Sequence, residues 1–190
     1  MKTAHEIIIA GFGGQGVLSM GQIIAYAAMK EGKEVSWMPS YGPEMRGGTA
    51  NCIVIVSDEK INSPIVSTFD SAIILNQPSL EKFADHVKPG GLILFEQSSI
   101  INPSSRIDVE KLPVAALEEA QRLNKRQVAN MILLGAFLER RPLVRPENVL
   151  QALKEVLPER HHHLIPLNEQ ALLRGKQIAN EIPHDSVVHV

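Results

Sequence analysis

The hexapeptide Gly11-Phe12-Gly13-Gly14-Gln15-Gly16 constrains the fold more than any other segment of the chain. Ile7-Ile8-Ile9-Ala10 precedes it and is apolar at every position, as a central parallel strand with both faces covered requires. Val17, Met20, Ile24 and Ala27 follow at helical spacing, and Gly32 stands where such a helix would stop. Lys33 to Met38 then reads as a second strand. Strand, glycine turn, helix, strand is a βαβ unit, and its crossover is expected to be right-handed. Glycines at these spacings let the chain turn tightly and let backbone N–H groups approach a ligand. The helix that follows offers unpaired N–H groups and a partial positive charge to an anion. The motif taken alone is open between an anion cradle and a ligand-free tight turn.

A nicotinamide dinucleotide site requires an acid at the end of the second strand, about 20 residues on, to hold the ribose hydroxyls. The chain reads Val35-Ser36-Trp37-Met38-Pro39-Ser40 there, with its only nearby acid, Glu34, at the strand's start. No base stands ready for a 2′-phosphate, and no Gly-Lys-Ser/Thr follows the glycines. The classical NAD(P) reading and the Walker A reading are therefore both rejected.

Further along, Thr49–Val56, Ser71–Leu75 and Leu92–Phe95 read as strands. A helix is expected from Pro78 to about His86, and Lys88-Pro89-Gly90-Gly91 reads as a turn. The second half reads as helices over Pro113–Leu123, Gln127–Arg140, Pro146–Val156 and Asn168–Asn180. The expected class is α/β, a Rossmann-like mixed or parallel sheet with flanking helices and a helical C-terminal part. Residues 1–190 are read as a single domain, with 183–190 a loosely held, flexible tail.

Composition removes whole classes of function. With 19 basic and 21 acidic residues the formal charge is −2, without the basic excess of a nucleic-acid binder. The longest apolar run, Met131–Leu138, is far short of the ~18 residues a membrane span needs. The single cysteine, Cys52, cannot ligate an iron–sulfur cluster or build a multi-cysteine zinc site. It also suits a reducing cytosol, so a cytoplasmic protein is expected. Flanked by Ile53, Val54 and Ile55, it reads as an inert buried thiol.

Other residues carry two readings each. Ser36 to Gly48 is rich in proline and glycine and reads as an irregular loop. It gathers Trp37, Tyr41, Met38 and Met45, together with Glu44 and Arg46, and Arg46 is followed by Gly47-Gly48. Either it forms an interface whose guanidinium meets a phosphate or carboxylate, or it packs Trp37 on the chain's own core. Glu96, at a strand's end, faces a ligand crevice or caps a helix. His161-His162-His163 reads as polar surface rather than a metal site, since adjacent histidines point apart.

Several of these segments together carry a resemblance. The Gly11–Gly16 turn, the block Ser40-Tyr41-Gly42-Pro43-Glu44-Met45-Arg46-Gly47-Gly48-Thr49-Ala50, and Val87-Lys88-Pro89-Gly90-Gly91 are similar to the γ subunit of 2-oxoacid:ferredoxin oxidoreductases. Asn130-Met131 with Leu134-Gly135-Ala136, and His162 to Asn168 with Ala171, fit as well. The likeness spans roughly residues 5 to 175, and within the family it is nearest the 2-oxoglutarate type.

The resemblance implies coenzyme-A-dependent oxidative decarboxylation of a 2-oxoacid, 2-oxoglutarate to succinyl-CoA or the reverse, with electrons passed to ferredoxin. It implies α and β partner subunits, with a ferredoxin-like δ subunit in some forms. Thiamine diphosphate and the iron–sulfur clusters would be held by those partners and not by this chain alone. It places coenzyme A contacts at Gly11, Gly13, Gly14, Gln15 and Gly16, with Arg46, Gly47 and Gly48. Glu44 and Arg46 become candidate active-site or interface residues, and no metal site is implied. A γ subunit acting on pyruvate or a branched-chain 2-oxoacid, or a stand-alone nucleotide- or coenzyme-A-binding module, are the alternatives.

Overall fold

The computed structural model describes residues 4–40 and 49–183. Its strands are β1 (Ala4–Phe12), β2 (Glu34–Ser40), β3 (Thr49–Ser57), β4 (Phe69–Ile74), β5 (Val87–Glu96) and β6 (Glu110–Val114). Its helices are α1 (Val17–Lys30), α2 (Gln77–Phe83), α3 (Ala116–Arg122), α4 (Ala129–Arg140), α5 (Pro146–Val156) and α6 (Ile165–Glu181). Among the described residues the strands form one sheet in the order β2-β3-β1-β4-β5-β6. β1, β4, β5 and β6 run parallel, while β3 is antiparallel to both β1 and β2. The sheet is therefore mixed, and the α/β class expected from the sequence holds.

The isoleucine run of β1 explains itself in this sheet. Ile7 and Ile9 face a core built with α1, α3, α4, α5 and α6, whereas Ile8 and Ala10 face a second core containing Leu80 of α2. All four are fully buried, so no position of the strand has a polar face to offer.

Three segments differ from their sequence reading. β2 is not a neighbour of β1, because β3 lies between them; the first helix still returns the chain parallel to β1, but one strand further out. Lys88–Gly91 is no turn but the start of β5, with a register irregularity between Phe69 and Ser71 on β4. Gly90 takes φ +77, and a Cβ on Gly91 would lie 2.8 Å from the Asp70 carbonyl oxygen. A bulge of this kind needs glycine for the same local reasons as a turn. Finally, Glu110–Val114 is an edge strand, not the beginning of a helix. Pro113 is tolerated there because an outer strand has N–H groups with no neighbour to pair.

The helical layer is fastened at two places. α4 and α6 cross at Gly135 and Gly175: a methyl on Gly135 would lie 2.8 Å from the Leu172 carbonyl carbon and 2.9 Å from its Cα. One on Gly175 would lie 2.9 Å from the Ala136 nitrogen. Arg140, at the end of α4 and only 7% exposed, donates to Glu110 of β6 at 2.9 Å and to the Ala179 carbonyl at 2.9 Å. It also donates to the Ile182 carbonyl, which ties the end of α6 to the sheet's edge.

Candidate functional site

From β1 the chain moves through α1 to the β2 edge of the sheet; from β4 it moves the other way, to β5 and β6. The carboxyl ends of β1 and β4 therefore flank the switch point where open α/β sheets bind ligands. The glycine turn stands at this place. Its form is set locally. Gln15 folds back so that its Oε1 accepts from the Phe12 N–H at 2.6 Å, and its own N–H donates to the Phe12 carbonyl at 3.3 Å. Gly14 and Gly16 take φ +87 and +79, a conformation that costs an L side chain about 1–2 kcal/mol. At Gly11 a Cβ would sit 2.8 Å from the Leu75 Cβ, so glycine lets β1 and the end of β4 close up.

Gly16 is also the N-cap of α1, where it has no side chain with which to cap the helix, and no acid occupies the first turn. The opening N–H groups of this 14-residue helix have no intrahelical acceptor. Asn130, on α4, packs over the turn from above: a Cβ on Gly16 would lie 2.9 Å from the Asn130 Cγ.

A cavity opens on each side of the turn. On the β3 side, about 280 Å³ is bounded by Phe12, Gly13, Ser19 and Ala50. On the α4 side, about 260 Å³ is bounded by Gly14, Gln15, Glu96, Arg126, Asn130 and Leu133. Glu96, 2% exposed at the end of β5, takes the capping role that one of its sequence readings gives it. Its Oε2 accepts from the Ser98 hydroxyl and the Ser99 N–H, each at 2.8 Å, and its Oε1 accepts from the Leu117 N–H at 3.2 Å at the start of α3. It is a helix cap, and it also forms part of the α4-side cavity.

The expected phosphate-cradle residues Gly11, Gly13, Gly14, Gln15 and Gly16 thus come together at the switch point. Glu44, Arg46, Gly47 and Gly48 lie outside the described residues, as does Tyr41. Ser36 to Ser40 is not loop but the second half of β2. Trp37 packs against the α1-side core, with its indole beside Gly21, where a Cβ would come 3.0 Å from Nε1. It is an anchor of the chain's own fold. Met38, on the opposite face of the strand, remains 37% exposed.

Cys52 is fully buried beneath α1, with its Sγ 3.5 Å from the Val17 carbonyl, and burial pushes its thiol up to about 12. The histidines fall in a 3₁₀ turn, Glu159–Leu164, where the His162 Nε2 lies 2.9 Å from the Leu157 carbonyl. Among the described residues no three His, Cys, Asp or Glu side chains are grouped to hold a metal ion. No helix among them is long and apolar enough to cross a membrane. Arg126 was not singled out by its sequence setting. Only the neighbouring Asn130-Met131 carried a family signal, because a lone arginine in a polar connection has no periodicity to mark it.

The mixed sheet carries the glycine turn at its switch point, between the carboxyl ends of β1 and β4, with the uncapped helix α1 behind it. The chain belongs to the pyruvate ferredoxin/flavodoxin oxidoreductase family, whose model matches residues 6–178. It is 31% identical over 186 residues to the 2-oxoglutarate synthase subunit KorC of Methanocaldococcus jannaschii, covering 96% of this chain and 97% of that one. It is 48% identical over 133 residues to the ketoisovalerate oxidoreductase subunit VorA of Methanothermobacter thermautotrophicus. That match covers 70% of this chain and 28% of the relative, so the chain spans little more than a quarter of that relative's length. Among solved structures, the gamma subunit of a keto/oxoacid ferredoxin oxidoreductase from Geobacter sulfurreducens superposes with a TM-score of 0.81 at 28% identity. There the coverage is 94% of this chain and 99% of that one. The 2-oxoglutarate:ferredoxin oxidoreductase of Magnetococcus marinus, solved with 2-oxoglutarate, coenzyme A and succinyl-CoA bound, superposes with a TM-score of 0.88 at 25% identity. In that case 99% of this chain matches 33% of the other.

Proposed function

We propose that the chain is the gamma subunit of a 2-oxoacid:ferredoxin oxidoreductase that interconverts 2-oxoglutarate and succinyl-CoA. The observation that carries this reading is the end-to-end likeness to a 2-oxoglutarate synthase subunit, which covers 96% of this chain and 97% of the relative. In this reading α and β subunits hold thiamine diphosphate, iron–sulfur clusters lie in chains with the cysteines to bind them, and ferredoxin takes the electrons. Thiamine diphosphate supplies the carbanion chemistry when bound to those partners. This chain contributes an anion site: the N–H groups at the start of α1 and the glycine turn meet the phosphates of coenzyme A. In this reading Arg46 and Glu44 act toward the partner subunits. One guanidinium bond to a phosphate or carboxylate is worth about 1.5–3 kcal/mol.

The higher identity to the ketoisovalerate subunit, 48% over 70% of this chain, favours a second reading with a branched-chain 2-oxoacid as substrate. Reconstitution with the partner subunits and turnover on 2-oxoglutarate, pyruvate and ketoisovalerate decides between them. Preference for 2-oxoglutarate is expected, with turnover reduced about tenfold or more in Arg46→Ala at unchanged melting temperature. Faster turnover of ketoisovalerate overturns the substrate assignment, and failure to assemble with any such partner overturns the role.

A further inference from the structure

Between α4, α5 and α6 lies a cavity of about 320 Å³, larger than either of those beside the glycine turn. Its lining is mostly hydrocarbon, from Leu138, Pro142, Val144, Val149, Leu172 and Leu173. The charged side chains on that lining, Glu139 of α4 and Lys176 of α6, stand 3.2 Å apart and neutralise each other. The walls have little freedom to close. α4 and α6 meet backbone to backbone at Gly135, which also lines the cavity. The connection from α4 to α5 carries a ring-constrained residue at Pro142, and Pro146 opens α5. Lys33 pins that connection by donating to the Leu143 carbonyl at 2.8 Å. An apolar cavity held open in this way exposes hydrocarbon to water until something fills it.

Two observations identify the occupant as polypeptide. The apolar surface is wider than the cavity: Leu173 lines it and is still 55% exposed. A small molecule seated inside would leave that leucine wet, and the paired Glu139 and Lys176 offer no net charge to hold an ionic ligand. A protein surface covers both, with one large apolar side chain in the cavity as anchor and its surroundings over Leu173. In addition, the stretch matched in the ketoisovalerate subunit and in the Magnetococcus enzyme is 28% and 33% of a longer polypeptide. A unit built into a longer chain has a face that packs against the rest of it.

We propose that this groove is the docking face for a partner subunit of the same enzyme, one segment of which places a large apolar side chain between α4, α5 and α6 and covers Leu173. The proposal rests on the reading of the chain as a gamma subunit, and it adds the face by which that subunit is held. The face lies away from the glycine turn: Asn130, over the turn, and Leu138, in the groove, are about 12 Å apart along α4.

The test is assembly of the full chain with the partner subunits, followed by titration and size-exclusion chromatography, for Leu173→Asp and for Ile101→Asp as control. Ile101 is 83% exposed and its N–H is bonded to Gln77 of α2, away from the groove. Both side chains are exposed, so both variants are expected to keep the melting temperature of the free chain. Leu173→Asp is expected to weaken assembly about tenfold or more, and Ile101→Asp to leave it unchanged. Hydroxyl-radical footprinting is expected to label Leu173 in the free chain and to spare it in the complex. Assembly of Leu173→Asp with wild-type affinity overturns the proposal, as does equal labelling of Leu173 in the free and assembled chain. Equal losses in the two variants overturn it too. Self-association of the free chain that Leu173→Asp abolishes would give the groove to a second copy and also overturn it. A wild-type chain that assembles with no such partner overturns the subunit reading and this proposal together, whereas failure of the variants to differ, with the wild type assembled, overturns the groove alone.

Discussion

Gly135→Ala sets two rules of helix chemistry against each other. In a helix interior, alanine is favoured over glycine by about 0.8–1.0 kcal/mol, so propensity alone predicts a more stable protein. The geometry predicts the reverse. The added methyl would lie 2.8 and 2.9 Å from backbone atoms of Leu172, and closer still to its carbonyl oxygen. These are main-chain atoms of α6 and have no rotamer by which to step aside, so the two helices must move apart by an ångström or so. A gap of about 0.5–1 Å already forfeits a quarter to a half of the dispersion attraction of the atoms that line it. The fully buried Ile132, Ala136 and Ala171 are among the core side chains that would feel the separation.

Overpacking of this kind costs about 1–3 kcal/mol and more where backbone must shift, so a net loss of about 2 kcal/mol is expected after the propensity gain. For a chain of this size that is a fall of about 4–8 °C in melting temperature. Far-UV circular dichroism melts and urea titrations of Gly135→Ala and Gly175→Ala give the answer. A melting temperature that rises, in either variant, refutes the reasoning.

At the glycine turn, Gly14→Ala should lose only the left-handed strain, about 1–2 kcal/mol, because open space surrounds its missing Cβ; Gly16→Ala should lose more, since Asn130 stands in the way. Paired denaturation curves test the order, and equal losses would contradict it. Cys52, buried and with its thiol pushed up to about 12, should be about one part in 10⁴ thiolate at pH 8. Ellman's reagent should label it only when the chain unfolds, and stoichiometric labelling of folded protein within minutes would show the site wrongly placed. The hydrogen bond from Arg174 holds the Glu119 carboxyl below its ordinary value of 4.5. A depressed native pKa stabilises the fold above the ordinary carboxylate range, and that stabilisation is lost as pH falls through the native value. Arg174→Gln should therefore lower stability at pH 7 by about 1 kcal/mol or less and flatten its decline below about pH 4.5; an unchanged acid limb in urea titrations would refute the pairing.

The parts of the fold that were legible in the sequence are those where one local rule dominates. Ile7-Ile8-Ile9 reads as a central strand because nothing but burial on both faces suits it. Pro146–Val156 is a helix between the same two residues in both readings, because a proline start and a strongly one-sided pattern agree. Pro113 misled, since proline opens helices and also sits on edge strands, and only the sheet order tells which applies. Lys88–Gly91 misled because a bulge and a turn make the same demand for glycine. Neighbour order in the sheet leaves no local mark, which is why β3 between β1 and β2 could not be seen. At the site, the glycine turn was legible as a motif. The place of Asn130 over the turn, some 114 positions beyond Gly16 in the chain, is a product of packing.

The position of β1 in the sheet order also bears on how the chain comes to be folded in a cell. β1 is made before both of its partners, β3 and β4, so its last edge is not covered until Ile74 has been made. At roughly 5–20 residues per second, translation leaves Ile7-Ile8-Ile9 waiting about 3–13 s beyond its own synthesis with at least one edge open. A β-branched, uncharged segment with an open edge is the kind that pairs with copies of itself. Recombinant yield of this protein should therefore respond to slower synthesis temperature and to holdase chaperones that shield the nascent β1 segment, more than to any substitution that stabilises the finished fold.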